Sequence, residues 1–183
     1  IPTVDSLTNT GTGRNYGLEL TVERFFSQGF YFLNTVSLFD SKYRGSDGVL
    51  RNTAFNGNYV WNVLGGYEYK IGKKGTLSAD LKATIAGGRR LTPIDLEASK
   101  NAGNTVYNDN LPFTEQLPTY FRSDLRIGYR LDRNKASHQW AIQINNITNT
   151  ENVFARRYSQ AEGKIVDTPQ LMRMIIPQYR LLF

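Results

Sequence analysis

The sequence contains no cysteine, which excludes thiol nucleophiles, thiolate metal sites and a disulfide framework. It leaves the compartment open, because a chain without cysteine suits oxidising and reducing surroundings alike. Histidine is nearly absent as well. His138 is the single one, and a metal centre wants several nitrogen, sulfur or oxygen ligands together, so it is read as a turn or interfacial residue and no metal or other cofactor is expected. No run of about 18 apolar residues occurs, which excludes a transmembrane helix. There is no GxSxG nucleophile turn and no glycine loop that would cradle a phosphate ahead of a helix. Nothing points to an enzyme.

What the chain does have is aromatic residues and alternation. Its 183 residues fit one domain, with 11 Tyr and 10 Phe against 2 Trp. The mean hydropathy of −0.44 looks soluble. A barrel strand of about 10 alternating residues looks the same, however, since half its side chains are polar. Net charge is +6, but the basic residues are scattered among acidic ones, and no platform of aromatics and cations suggests a nucleic-acid partner. The opening Ile1-Pro2-Thr3-Val4 has no basic segment followed by an apolar core. An exported protein with this beginning is expected to be a mature form or part of a longer one.

The last stretch, 172–183, is the clearest strand. Ile175, Pro177, Tyr179, Leu181 and Phe183 share one face, and Met174, Ile176, Gln178, Arg180 and Leu182 share the other, as the two-residue period of a strand requires. Six further strands are predicted: 14–26, 30–43, 59–71, 76–86, 117–131, and one from His138 into 145–149, with a continuation to Tyr158 left open. In the second of these, the set Phe30, Phe32, Val36 and Leu38 is favoured as apolar over Tyr31, Leu33 and Phe39. Residues 1–13 are read as an irregular loop, as are 44–56 and 159–170; 87–116 is the longest loop, rich in Gly, Asn and Pro, and expected to be functional or mobile.

The fold expected is therefore all-β, an antiparallel meander of about seven long strands, or eight if 87–116 hides a hairpin. Connections alternate between short and long, the pattern of transmembrane barrels with short periplasmic turns and long extracellular loops. With Phe183 at the periplasmic end, every short connection falls on that side. Seven antiparallel strands cannot close alone, and open edges in lipid leave polar backbone groups unpaired. The expectation is the C-terminal part of a larger transmembrane β-barrel.

Candidate residues follow from the facing. Arg122, Asp124, Arg126 and Arg130 share the polar side of the strand at 117–131, and Asp80 and Lys82 continue the same wall. They are candidates for a wetted lumen wall or for ligand or plug contacts. Arg89 and Arg90, after two glycines, are candidates for a surface loop touching lipopolysaccharide phosphates. Tyr59, Trp61, Tyr67, Tyr129, Trp140, Tyr179 and Phe183 are read as membrane-facing anchors.

A family resemblance rests on the end of the chain. The run Leu117-Pro118-Thr119-Tyr120-Phe121-Arg122-Ser123-Asp124-Leu125-Arg126-Ile127-Gly128-Tyr129, then Asn145-Asn146-Ile147-Thr148-Asn149, then a strand ending in Phe183, resembles the C-terminal third of TonB-dependent receptors, nearest to those of the Bacteroidota with a carboxypeptidase-regulatory-like N-terminal domain. The resemblance implies a location in the outer membrane of a Gram-negative bacterium. It also implies a 22-stranded barrel around a plug, importing a scarce nutrient such as a glycan or siderophore. The implied partners are outer-membrane lipid and lipopolysaccharide, the remainder of the barrel and the plug, TonB through an N-terminal part, a surface lipoprotein, and the barrel-assembly machinery at the terminal strand. Two other readings stand beside it: a small self-contained barrel with a structural or adhesive role, and a soluble β-sandwich binding module.

Overall fold

A computed structural model describes residues 10–183. The protein is built on one antiparallel sheet whose main path runs through seven long strands in chain order. These are β1 (Thr12–Ser27), β2 (Phe30–Arg44), β4 (Tyr59–Ile71), β5 (Gly75–Ala86), β8 (Tyr120–Asp132), β9 (Ser137–Asn145) and β12 (Met174–Leu182); the short β3 (Leu50–Asn52) pairs with the end of β2. Residues 12 and 13, read from sequence as loop, belong to β1; the rest of that predicted loop up to residue 9 lies outside the described residues.

The turns explain the meander. Gln28 and Gly29, both with positive φ (55° and 81°), form the two-residue hairpin whose twist matches paired strands. Gly72 and two lysines join β4 to β5, and Arg133 to Ala136 join β8 to β9, with Arg133 N–H donating to the Ala136 carbonyl at 2.9 Å. All three short connections and Leu182 lie at one end of the sheet. The three long connections lie at the other.

Pairing register fixes the faces. One row crosses Leu20, Val36, Trp61, Ile85 and Phe121. A second, toward the short connections, crosses Tyr69, Leu77, Tyr129, Trp140 and Tyr179. One face is therefore apolar along every strand, with Phe30, Phe32, Val36 and Leu38 on it in β2. Among the described residues no element covers it: Leu18, Leu20, Leu81, Ile127 and Ile142 are all exposed. Burying five such side chains would be worth on the order of 10 kcal/mol, comparable to the whole net stability of an ordinary domain. The sheet is also open. Among the described residues β1 pairs only with β2, and β12 only with β9.

The long connections are ordered, which corrects three sequence expectations. Segment 44–56 contains β3. Segment 87–116 adds no hairpin to the main sheet, but it contains β6 (Arg90–Leu91) and β7 (Glu115–Gln116), which pair with each other, and the helix α1 (Leu96–Ala102). Asp95 caps α1 by accepting from Ala98 N–H at 2.9 Å, and Gly103 ends it at φ 66°, the two caps that define a helix this short. Segment 159–170 contains β11 (Lys164–Pro169), which pairs with β10 (Val153–Ser159). The strand from His138 does not run on to Tyr158. It stops at Asn145, because Asn146 turns the chain at φ 53°.

Candidate functional site

The charged residues singled out from sequence lie on the polar face, and one row brings two of them, Asp80 and Arg126, side by side. Tyr31, Gly66, Asp80, Arg126 and Gln143 are successive neighbours across β2, β4, β5, β8 and β9. Gly66 leaves the gap that lets Tyr31 reach past it, since a Cβ there would stand 2.4 Å from Asp80 Oδ1 and 2.5 Å from the Tyr31 ring. The Tyr31 hydroxyl donates to Asp80 Oδ1 at 2.7 Å, and Arg126 Nη1 donates to Oδ2 at 3.3 Å. Asp80 is thus held from both sides. The sequence offers no sign of Tyr31 in this role, because its alternation also allowed it on the apolar side.

Asp124 has a different company. Its Oδ1 accepts from Arg122 Nε and from the backbone N–H of Asn146, both at 2.8 Å. Asn146, nearly buried, closes its own loop by donating to the Thr150 carbonyl at 2.9 Å and accepting from Thr150 N–H at 3.0 Å. The Asn145-Asn146-Ile147-Thr148-Asn149 element is therefore a turn tied to the charged wall. Lys82 stands directly across from Asp124 in register and has no ion pair among the described residues. Arg130 approaches Asp132 at 3.3 Å at the short-connection end. The wall alternates sign along β8 and is only partly paired, which suits contact with water or a polar partner more than a sealed core.

At the other end the loops build a cleft of about 290 Å3, lined among others by Arg89, Arg90, Tyr107, Asp109, Phe113 and Arg156. The two sequence-predicted arginines separate there. Arg90 turns inward, its Nε donating to the Asn56 carbonyl at 2.9 Å, while Arg89 is exposed. Phe113 sits at φ 58°, a conformation costing roughly 1–2 kcal/mol for a residue with a Cβ, and its ring meets Tyr43 edge-on at 6.1 Å. Tyr43 shares the polar face, so this loop leans toward that side of the sheet.

Arg156 locks the cleft's wall. Its Nε donates to Asp167 at 2.7 Å and its Nη1 pairs with Glu115, joining the β10–β11 hairpin to β7. The two carboxylates, Asp167 foremost, raise its affinity for its proton above the ordinary guanidinium value. This cluster was invisible to sequence reasoning, since Arg156 and Glu115 lie 41 residues apart in segments without periodicity.

The predicted anchors lie on the apolar face. Trp61 donates its indole N–H to Asn34 at 2.7 Å, and the Tyr59 hydroxyl bonds Thr119 at 3.0 Å. Trp140 stacks near-parallel on Tyr129 and on His138, with ring centres 6.0 and 5.7 Å apart, and contacts Tyr179 at 5.7 Å. His138 Nδ1 lies 2.9 Å from the Tyr179 hydroxyl. Tyr67 is half exposed on the same face, and Phe183 is exposed beyond the end of β12. Among the described residues no group of three His, Cys, Asp or Glu could hold a metal, and no helix is long and apolar enough to cross a membrane. No protein-family model, no curated protein and no solved structure matches the chain.

Proposed function

We propose that this chain forms part of the wall of an outer-membrane β-barrel of the receptor type, serving uptake of a scarce nutrient. The apolar face meets lipid, the charged face meets a wet interior, and the ordered long connections stand outside the cell. One observation carries this reading: each of the seven strands of the main path has a mostly apolar side, and among the described residues no element packs on it. A soluble sandwich would need a second sheet packed on that side.

Dimensions support it. From Tyr59 to Tyr69 the strand rises about 33 Å at the usual spacing, which at a barrel's tilt projects to about 25 Å, the height of an outer-membrane apolar band. Aromatic residues lie near both limits of that band, where interfacial girdles belong. The open edges of β1 and β12 call for more strands, because unpaired backbone in lipid costs several kcal/mol per group. The remainder of a receptor barrel would supply them. The loop cleft, with exposed Arg89 and Tyr107, is then the surface an arriving ligand meets first, and the partly paired charges of β8 line its way or face a plug.

The two tryptophans test this without added labels, since Trp61 and Trp140 sit on the apolar face near opposite ends. The full chain is folded into bilayers whose acyl chains carry bromine, and fluorescence is compared with Trp61→Phe and Trp140→Phe variants. Quenching of both tryptophans is expected. Fluorescence unchanged by bromine but quenched by soluble acrylamide, from a chain that stays monodisperse without detergent, would overturn the proposal in favour of a soluble module.

A further inference from the structure

The apolar face changes character at its long-connection end, on β1 and β2. Going outward, Leu18 pairs with Leu38, then Tyr16 with Asp40, Arg14 with Lys42, and Thr12 with Arg44. Lys42 Nζ lies 3.1 Å from Asp40 Oδ2, which also accepts from the Tyr16 hydroxyl at 3.1 Å. The Arg14 guanidinium stands 5.8 Å from the centre of the Tyr16 ring. Among the described residues Lys42 is the cation paired with Asp40, while Arg14 and Arg44, further out on the same face, carry no ion pair. Arg14 and Lys42 face each other directly across the strands, and like charges so placed are unfavourable unless an anion lies between them. Immediately inward, Leu18 and Leu38 are 73% and 54% exposed.

Head and tail requirements meet at this corner. Arginine forks suit phosphate oxygens in a way that a single point charge does not, and Tyr16 sits where an amphipathic ring spans the polar and apolar layers. At the opposite end of the same two strands the apolar face carries a single cation, Arg24, folded over the Phe30 ring at 5.4 Å. The asymmetry favours the leaflet on the long-loop side.

We infer that Arg14, Lys42 and Arg44 form a binding site for a phosphate-bearing lipid of the outer leaflet, whose acyl chains lie over Leu18, Leu20 and Leu38. This site is separate from the loop arginines Arg89 and Arg90. It rests on the membrane reading above, and a test must tell the two apart.

The full chain is placed in phosphatidylethanolamine bilayer discs doped with a bis-phosphorylated diglucosamine lipid, and retained lipid is read by native mass spectrometry. A phospholipid-resistant adduct is expected. The combined Arg14→Gln, Lys42→Gln and Arg44→Gln variant should lose it by about tenfold or more, the scale of one or two charge-assisted hydrogen bonds, whereas Arg24→Gln should keep it. Equal retention by the triple variant, or equal retention of the dephosphorylated lipid, would overturn the inference. Displacement by inorganic phosphate alone would overturn the lipid as the occupant. Tryptophan quenching measured on the same discs separates the two claims: intact quenching with no phosphate preference removes this site only, and absent quenching removes the membrane reading with it.

Discussion

The main sheet and the loop-built end of this protein are held together by different means. In the sheet, order comes from the ladder of backbone hydrogen bonds and from side-chain rows that bury almost nothing. In the loops, order comes from buried polar side chains bonded to backbone and to one another: Asn56 and Ser99 are fully buried, and Leu117 and Tyr158 nearly so. Asn56 alone accepts from Ser41 N–H and donates to Asp40 and Asn52 at 2.8–2.9 Å. The loop end has buried polar centres of its own, whereas the sheet presents a broad exposed apolar side. The proposed wall in lipid, with the loops as its cap in water, rests on that contrast.

The sharpest way to break the contrast is to put a charge on each face of the sheet in turn. Leu81→Arg, in the middle of the apolar face, is expected to cost about 2–4 kcal/mol of folding free energy in a bilayer. Thr35→Arg on the polar face should stay within about 0.5 kcal/mol, as surface substitutions do. Urea titration of both variants in lipid vesicles measures the difference, and equal costs would mean that the two faces see the same solvent.

A smaller effect is expected in the loops, where the unit of stability is one hydrogen-bonded pocket. Asn56→Ala leaves the Ser41 N–H without its acceptor and Asp40 and Asn52 without its amide donor, at about 1–3 kcal/mol. Hydrogen exchange should speed up for Ser41 and residues 50–58 and leave the amides of β8 and β9 unchanged. Acceleration spread through the whole sheet would show that the two regions are not separate units of stability.

The smallest effect is one of pH. Asp47, in the loop before β3, receives Arg51 at 2.5 Å and the Val49 N–H at 3.1 Å, which holds its pKa at about 2, below the ordinary 3.8. A lowered carboxylate pKa adds stability that is present above the ordinary value and is lost as pH falls through the folded one. The tip of this loop should therefore keep its fold at pH 4 and loosen near pH 2. Carboxyl NMR titration of Asp47 checks this, and Arg51→Gln should return the midpoint toward 3.8; the exposed position keeps the energetic consequence small.

The sheet was largely legible in the residues. The strand bounds at 59–71 are those found; in the second strand alternation left two facings open, and pairing register placed the favoured set Phe30, Phe32, Val36 and Leu38 on the apolar side, since a one-residue shift would turn every side chain over. Gln28-Gly29 and Gly72 announce their turns by the same local logic. The loops were not legible. The helix at 96–102 is too short for a period to stand out, and the β10–β11 hairpin alternates weakly because it covers no apolar layer. Arg90 and Arg89 look equivalent in sequence, and only the position of Asn56 makes one a brace and leaves the other in solvent.

The sequence by itself determined the seven long strands, the faces of most of them and the end at which the long connections gather, since each depends on neighbours two residues apart or on a local turn. Tertiary structure alone decided which charges meet. Asp80 reaches Tyr31 only because Gly66 stands between them without a side chain, and Arg156 finds Glu115 and Asp167 only because two loops fold onto one another. Such pairings depend on through-space distances between distant segments, and a linear chain carries no period that encodes them.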